Sequence, residues 1–320
     1  MTEKISLKRL TKQFGPILAV NNISISVGSG EVLGFLGPNG AGKSTTMRMI
    51  TGFIEPTSGT AEVLGMNVSN NPVDVKRSIG YLPEGAPTYG DMTAKSYLGF
   101  IAEIRGFHGA EKLRRIDTVV DNVNIKDILN QPIDTLSKGF RRRVGLAQSL
   151  LHDPEILIMD EPTDGLDPNQ KHQVRTLIRE MSKDKAIIIS THILEEVEAV
   201  CTRAVIIAQG RLLADGTPQQ LLSQASNHNA VVIALDKANA NDKLRQEIKA
   251  VSGVTSIENL TSKKEEKEIC RIRVTPEAGS SIAENILELL RRKNIPIREI
   301  FVERGALDDV FREITAPENF

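Results

Sequence analysis

A glycine-rich segment near the N-terminus has the residue types and the spacing of a phosphate-binding loop. Its residues are Gly37, Pro38, Asn39, Gly40, Ala41, Gly42, Lys43, Ser44 and Thr45. An apolar run at 32–36 predicts a strand before the loop, and the run at 46–50 predicts a helix after it. Glycines let backbone N–H groups turn toward one anion, and the helix start adds its positive dipole end. We therefore expect Lys43 to contact the β- and γ-phosphates of a nucleotide and Ser44 to offer its hydroxyl to Mg²⁺.

Two adjacent carboxylates, Asp160 and Glu161, follow a second apolar run. Asp160 is expected to hold hydrated Mg²⁺ near Ser44. Because neighbouring strand residues point in different directions, Glu161 would be free to orient and deprotonate an attacking water. The simpler interpretation, a solvated acidic pair, is disfavoured by the Pro-Thr dipeptide that comes next. His192 closes a third apolar run, where it could contact the γ-phosphate or the same water.

A second anion-binding position is indicated at Ser137 and Gly139, which precede a predicted helix. A hydroxyl, backbone N–H groups and the helix dipole favour an anion there. The alternative is that Ser137 is an ordinary helix cap, and the two roles are compatible.

These residues need a sheet to position them, and the chain alternates strand-like runs with amphipathic helical patterns as far as about residue 220. This layout predicts an α/β fold with a mainly parallel sheet covered by helices. The continuous apolar runs at 155–160 and 186–190 indicate strands buried on both faces. From about 85 to 135 only helical patterns occur, which predicts an inserted helical subdomain.

The remainder of the chain predicts a second domain. A polar stretch at 223–229 is interpreted as a linker, so the boundaries are 1–222 and 223–320. From 231 to 302 the patterns follow the order β-α-β-β-α-β, which is typical of a ferredoxin-like α+β domain. The charged residues 263–267 are interpreted as a solvated hairpin tip.

Composition excludes several classes of function. The 40 Lys and Arg residues nearly balance the 41 Asp and Glu residues, so no global field favours nucleic acid or an anionic membrane. Cys201 and Cys270 lie outside any metal-binding or disulfide spacing, and we expect both to be buried. The N-terminus has no apolar segment typical of a secretory signal, and no apolar run approaches 18 residues. A cytosolic protein is expected, with any membrane role coming through a separate chain.

The phosphate loop, the Ser137 motif, the acidic pair, Asp167 and His192 occur in one order along the chain, and residues 4 to 222 strongly resemble the ATP-binding subunit of an ABC transporter. The resemblance implies a P-loop NTPase fold of ABC type that binds MgATP. It also implies a homodimer stacked head to tail, in which Ser137 and Gly139 of one subunit complete the ATP site of the other. Asp167 would lie near that interface.

The same resemblance implies that Phe14, which precedes a predicted strand at 21–27, stacks on the adenine ring, although a lone Phe is more often a core residue. Two features depart from the commonest family pattern. The serine motif carries Lys138 and Phe140, and Glu84 stands where Gln is usual. A carboxylate there adds negative charge beside Mg²⁺, so either the metal is held more tightly or Glu84 protonates more readily. Both departures occur in the export branch that includes multidrug and gliding-motility-associated ATPase subunits.

The sequence thus predicts an ATP hydrolase that drives a separate membrane permease, in the direction of export, from the cytoplasmic face of the membrane. The permease is expected to dock on the helical subdomain, and no nucleic-acid partner is expected. Two other hypotheses remain: a soluble ABC ATPase that acts on nucleic acid or the ribosome, and a regulatory module that binds ATP without turnover. These residues do not specify the cargo.

Overall fold

The computed structural model describes residues 2–85, 88–260, 268–277 and 279–315. It divides into two compact units, Met1–Thr217 and Pro218–Phe320. The charged turn predicted at 263–267 lies outside the described residues. Within them, no helix combines the length and the apolar character that crossing a membrane requires.

Ten strands and seven helices form the described part of the first unit. The strands are β1 (Glu3–Phe14), β2 (Ile17–Gly28), β3 (Val32–Leu36), β4 (Ser58–Val63), β5 (Met66–Asn67), β6 (Ile79–Leu82), β7 (Ile156–Asp160), β8 (Ala186–Thr191), β9 (Arg203–Ala208) and β10 (Arg211–Gly216). The helices are α1 (Lys43–Ile50), α2 (Pro72–Ser78), α3 (Ala94–Ile104), α4 (Gly109–Asn122), α5 (Lys138–Leu150), α6 (Pro168–Met181) and α7 (Leu194–Val200).

The main sheet has the order β10-β9-β3-β8-β7-β6. Its strands are parallel except for β10, which pairs antiparallel with β9. Every residue of β3, β7 and β8 is buried, as the continuous apolar runs predict for strands covered on both faces. The predicted α/β class is confirmed. Because these strands are parallel, their carboxyl ends meet at one edge of the sheet, and that edge carries the phosphate loop, Asp160 and His192.

A second sheet of the first unit is antiparallel, in the order β2-β1-β4-β5, and the strand predicted at 21–27 is part of its β2, whereas the sheet itself was not predicted. Strands β1 and β2 are rich in charged and polar residues on their outer face, so they lack the continuous apolar runs of the parallel strands. Their inner residues, such as Leu10 and Ile23, share one core with Phe35 of β3. This packing brings the β1–β2 hairpin beside the phosphate loop.

The inserted helical subdomain is also confirmed. Between β6 and β7 the described residues contain α3, α4, two 3₁₀ turns and α5, and no strand. Thr93 caps α3 by accepting a hydrogen bond from the backbone of Ser96, and α4 buries Ile116, Val119 and Val120 along one face. The spacing of these three apolar residues is that of an amphipathic helix.

The second unit contains α8 (Pro218–Leu222), β11 (Val231–Asp236), α9 (Asp242–Lys249), β12 (Val254–Asn259), β13 (Ile269–Pro276), α10 (Ala283–Arg292), β14 (Ile297–Val302) and α11 (Leu307–Ile314). Its antiparallel sheet has the order β12-β13-β11-β14, and α9 and α10 cover one face. In this order β13 lies between β11 and β12 and is antiparallel to β11, so the two strands that α9 connects along the chain do not pair with each other. This is the split β-α-β arrangement of a ferredoxin-like domain, as predicted.

The stretch 223–229 differs from the linker interpretation. It belongs to the second unit, where the Asn227 amide donates to Asp309 at 2.8 Å and the backbone of Asn229 donates to Glu303 at 2.9 Å. Residues of this stretch therefore have hydrogen-bond partners on and before α11, although no periodicity in the sequence indicates them.

Candidate functional site

The phosphate loop joins β3 to α1 and forms the floor of a cavity of about 340 Å³. The lining residues are Ala19, Asn39, Gly40, Ala41, Gly42, Lys43, Ser44, Thr45, Glu84, Asp160 and Glu161. The structure thus brings together most of the predicted phosphate and metal residues. Ala19, from β2, is a lining residue that no motif in the sequence indicates.

Backbone conformation explains the glycines of the loop. Gly42 has φ = 105°, and a Cβ there would lie 2.5 Å from the carbonyl oxygen of Ala19. A Cβ on Gly37 would overlap the carbonyl of Ile207. A side chain at either position would push the loop away from neighbouring backbone, so glycine lets the loop lie tightly over the end of the sheet.

Lys43 is buried, with 6% of its surface exposed. Its ammonium donates to the carbonyls of Gly37 at 2.6 Å and Pro38 at 3.1 Å. Burial lowers the pKa of Lys43, and the negative charges of Glu161, Asp160 and Glu84 oppose this shift. Lys43 therefore lies close enough to three carboxylates for each to affect its charge.

Asp160 ends β7 in a buried position, where its carboxylate accepts a hydrogen bond from the hydroxyl of Ser190. Ser44, on the first turn of α1, and Glu84, just after β6, line the same cavity. Carboxylate and hydroxyl oxygens are the donors that Mg²⁺ prefers, and one or two carboxylates usually suffice when phosphates supply the other ligands. This set of donors therefore fits a magnesium–nucleotide complex.

Glu161 has an unusual backbone conformation for a residue other than glycine, with φ = 49°. Its N–H donates to both the carbonyl and the hydroxyl oxygen of Ser190, each at 3.1 Å. Strained residues of this kind persist where their surroundings fix them, and they cluster at functional sites. Neighbouring residues of a regular strand point in opposite directions. Glu161 departs from strand geometry, and it lines the same cavity as Asp160.

His192 lies directly after β8, and its Nδ1 is 2.8 Å from Oε1 of Glu161. An ionised carboxylate can only accept hydrogen bonds, so Nδ1 carries the donated proton. The imidazole is thereby oriented by the carboxylate of Glu161, the predicted general base.

The structure puts Ser137, Gly139 and Asp167 elsewhere. The Ser137 hydroxyl accepts from the backbone of Phe140 at 3.3 Å and caps α5, and Asp167 caps α6 through the backbone of Gln170 at 2.9 Å. A Cβ on Gly139 would lie 2.6 Å from the side-chain oxygen of Gln170, so close helix packing also explains this glycine. Within the described residues, none of the three lines the cavity of the phosphate loop.

Phe14 also stands outside that cavity, at the end of β1, with 47% of its surface exposed. The ammonium of Lys12 lies 5.0 Å from the centre of its ring. The exposure excludes the core role that a lone Phe most often has, and it leaves aromatic surface available for stacking.

Arg142 is a functional candidate that sequence reasoning missed. It projects from α5, is buried, and donates to the backbone carbonyls of Pro83 at 2.7 Å, Glu161 at 2.7 Å and Asp160. The available signal is a run of three arginines at 141–143 within a helix. Such a run suggests that at least one guanidinium points inward.

A larger groove of about 570 Å³ lies between the parallel sheet and the helical subdomain. Phe53, Tyr81 and Tyr97 give it aromatic surface, and Arg48, Lys76 and Arg105 give it positive charge. Phe53 is 61% exposed and packs on Tyr81, with ring centres 5.4 Å apart. Pro83, one residue before Glu84, also lines this groove, so the groove and the phosphate-loop cavity share the loop that carries Glu84.

Comparison with known proteins gives consistent matches. The family model described as "ABC transporter" matches residues 20–164. The "Probable multidrug ABC transporter ATP-binding protein YbhF" of Escherichia coli (strain K12) is 38% identical over 224 residues, which are 70% of this chain and 39% of that protein. The chain therefore spans about two fifths of that relative. The "Bacitracin transport ATP-binding protein BcrA" of Bacillus licheniformis is 37% identical over 247 residues, which are 74% of this chain and 80% of that protein.

Among solved structures, one titled "Structure of ATP binding subunit of ABC transporter" is similar with a TM-score of 0.64 and 31% identity. The match covers 69% of this chain and 92% of that structure.

Proposed function

The chain belongs to the ATP-binding subunits of ABC transporters, and from this premise we propose that it binds MgATP, hydrolyses the γ-phosphate and drives a separate membrane permease in the direction of export. One observation carries the proposal: the cavity that holds Lys43 and Ser44 also holds Asp160 and Glu161, with His192 hydrogen-bonded to Glu161. Phosphate binding, metal binding and proton transfer are thus available within one site. The export direction rests on relatives named for multidrug and bacitracin transport.

The phosphate loop and α1 are proposed to bind the nucleotide. Backbone N–H groups of the loop and the start of α1 favour an anion in the cavity. Lys43 supplies a positive charge that burial keeps from being screened by water. Phe14, at the end of β1, is proposed to stack on adenine, because every base has a π-face and the ring is exposed.

Magnesium, when bound, would neutralise charge that develops on the phosphate oxygens. Ser44 and Asp160 would hold it, and Glu84, from the loop beside the groove, would offer a further carboxylate. Ser190 donates its hydroxyl to one oxygen of Asp160, which restrains the carboxylate at the end of β7.

Glu161 is proposed to take the proton from the attacking water, and His192 to hold Glu161 in position through its Nδ1–H. His192 is half exposed, so its other ring nitrogen is accessible to a phosphate oxygen or to the water. An intact pair of this kind argues against a module that binds ATP without turnover.

Dimerisation is proposed because Ser137, Gly139 and Asp167 lie away from the phosphate loop of their own chain. The start of α5 offers a hydroxyl and a helix dipole to an anion, and a second copy could supply that anion on its phosphate loop. Two copies arranged head to tail would form two composite ATP sites.

The permease is proposed to dock in the groove beside Phe53. A cytosolic segment of that protein with apolar side chains and at least one carboxylate would match the aromatic and positive lining. Docking there would position this chain at the cytoplasmic face of the membrane as a peripheral subunit. Pro83 and Glu84 connect the groove to the metal site, which gives a route for coupling.

Two substitutions test the ATPase assignment. Glu161→Gln should leave MgATP affinity unchanged and lower kcat by ~10²-fold or more, because an amide cannot accept the proton. Lys43→Ala should weaken MgATP binding itself, measured with a fluorescent nucleotide. Near-normal turnover in the first variant, or unchanged affinity in the second, would contradict the proposed roles.

Photo-crosslinking in the source cell tests the partner. A photoreactive residue at Phe53 should capture a protein with several membrane spans, whereas the same residue at Leu113, an exposed position on α4, should not. Capture of ribosomal protein or nucleic acid from Phe53 would instead favour the soluble ABC ATPase.

A further inference from the structure

Glu196 is a buried carboxylate on α7 that the proposed mechanism does not use. It is 2% exposed, and its two oxygens accept hydrogen bonds from two threonine hydroxyls. Oε1 accepts from Thr163, and Oε2 accepts from Thr191 at 2.8 Å. Both threonines are buried as well, at 2% and 1%. Burying a carboxylate is costly, so its position calls for an explanation beyond packing.

The two threonines belong to the two segments that carry the hydrolytic pair. Thr163 lies two residues after Glu161, in a turn that the backbone of Asp164 closes by donating to the Glu161 carbonyl at 3.1 Å. Thr191 comes immediately before His192 and ends β8. A single carboxylate therefore bridges the segment of Glu161 and the segment of His192.

The bridge bears on the contact between His192 and Glu161, a residue whose own backbone is strained. His192 and Glu161 are 2.8 Å apart, and Glu161 holds a left-handed backbone with φ = 49°. Arg142 fixes the carbonyl of Glu161 from the side of α5, and Ser190 fixes its N–H from β8. The Thr163 bond adds a third restraint, on the residues that follow Glu161. Without it the turn is free to relax and carry the Glu161 carboxylate away from the imidazole.

We propose that Glu196 is a positioning residue for ATP hydrolysis, which holds Glu161 and His192 at hydrogen-bonding distance through Thr163 and Thr191. The inference rests on the proposed function. Glu196 touches neither nucleotide nor metal in this arrangement, so it acts on the rate of hydrolysis and leaves ATP binding alone.

Threonine variants test the bridge with little change in shape. Thr163→Val and Thr191→Val each remove one hydroxyl and keep the side-chain volume, whereas Thr163→Ser and Thr191→Ser keep the hydroxyl. A hydrogen bond to a charged group contributes enough to change a rate by about tenfold. We expect each Val variant to lower kcat by about tenfold with KM for ATP within about twofold, and each Ser variant to restore kcat to near the wild-type value.

A buried threonine elsewhere supplies the control. Thr51 is 2% exposed, and its hydroxyl donates to the carbonyl of Met47 within α1. Thr51→Val should leave both kcat and KM near the wild-type values. Glu196→Gln, which keeps one acceptor oxygen, should lower kcat by less than Glu196→Ala. The melting temperature and nucleotide affinity of each variant show that the chain is folded.

The outcomes separate this inference from the proposed function. Wild-type kcat in both Val variants would overturn the bridge while the ATPase assignment stands. Equal losses in the Ser and Val variants would also overturn it, since packing rather than the hydroxyl would then explain the effect. A wild-type chain without ATPase activity would overturn the proposed function and this inference together.

Discussion

Arg142 connects the loop before Glu84 with the backbone of the proposed general base. Its guanidinium reaches carbonyls at Pro83 and at Glu161, which belong to separate strand ends. Burial lowers the pKa of Arg142, and the neighbouring Asp160 and Asp164 oppose the shift, so the cation is retained among acidic groups. A displacement of the Pro83 loop would therefore be transmitted to Glu161 through one side chain.

The partly buried side chain of His152 predicts how the stability of the fold depends on pH. Its Nε2 lies 3.1 Å from the carbonyl of Ile79, and its buried Nδ1 has no hydrogen-bond partner among the described residues. Burial, with a smaller effect from the charge of Arg105, lowers the pKa of His152 to about 4. Because the folded value lies below the unfolded value of about 6.5, stability is fully present above pH 6.5 and is lost as the pH falls toward 4.

His152→Gln should reduce this acid sensitivity, because an amide keeps a donor for the Ile79 carbonyl and does not titrate. Between pH 7.5 and pH 5 the wild type should lose about 2 kcal/mol more unfolding free energy than the variant. Urea unfolding at the two pH values measures the difference. Equal losses in both proteins would show that His152 is not the group responsible.

The sequence alone was sufficient to select the cavity residues that belong to continuous motifs. The phosphate loop, Asp160 and Glu161 meet in one cavity because the motif and the parallel strands fix their positions. Arg142 could not be singled out from its run of three arginines, and Glu196 could not be selected, since their partners are backbone carbonyls and threonine hydroxyls that only the folded chain brings to them. The φ of Glu161 was likewise inaccessible, because tertiary hydrogen bonds impose it.

At the scale of elements, α5 combines a packing role with the proposed binding role. Ser137 caps the helix, Gly139 allows close contact with Gln170 of α6, and Lys138 pairs with Asp164 at 2.8 Å. That pair lowers the pKa of Asp164, chiefly through the hydrogen bond from Lys138. Lys138, one of the two departures in the serine motif, thus contacts the turn that follows Glu161.

Mixed dimers test whether the start of α5 acts on a second copy. A Lys43→Ala chain and a Ser137→Arg chain should each be inactive alone. In a heterodimer both lesions fall in one composite site and leave the other undamaged, so mixing should restore part of the ATPase rate. Absence of recovery, when differently tagged chains are shown to pair, would contradict assembly across the dimer.

Whether a segment forms a helix or a strand could be predicted from the sequence where one hydrophobic pattern dominated the segment. The fully buried strands β3, β7 and β8 and the amphipathic helices α3 and α4 are of this kind. The antiparallel sheet of β1, β2, β4 and β5 was missed because its strands face solvent on one side and carry charges there. Its pairing depends on register across distant segments, which a local pattern does not encode.

The division of the whole chain into two units is relevant to the function of the second unit. Its described residues form a complete α+β core around β11, and the cavity of the phosphate loop is lined from the first unit. We propose that the second unit contributes to assembly or regulation and has no share in ATP binding. The short helix α8 belongs with it, because Leu221 is fully buried and a Cβ on Gly305 would lie 3.0 Å from the carbonyl of Leu222.

Truncation after Thr217 tests this proposal at the boundary that the structure indicates. The shortened chain should keep MgATP affinity within about threefold, because every residue lining the phosphate cavity is present, while dimerisation or permease-stimulated turnover should weaken. Nucleotide titration and sedimentation measure the two properties separately.

A cut after Leu222 is the matched comparison. It leaves α8 without the residues that bury Leu221, so this longer chain should aggregate more than the chain that ends at Thr217. A folded Thr217 truncation that no longer binds MgATP would mean that residues after 217 complete the ATP site. The first unit would then not be an independent ATP-binding domain, and the second unit would affect turnover by changing nucleotide binding.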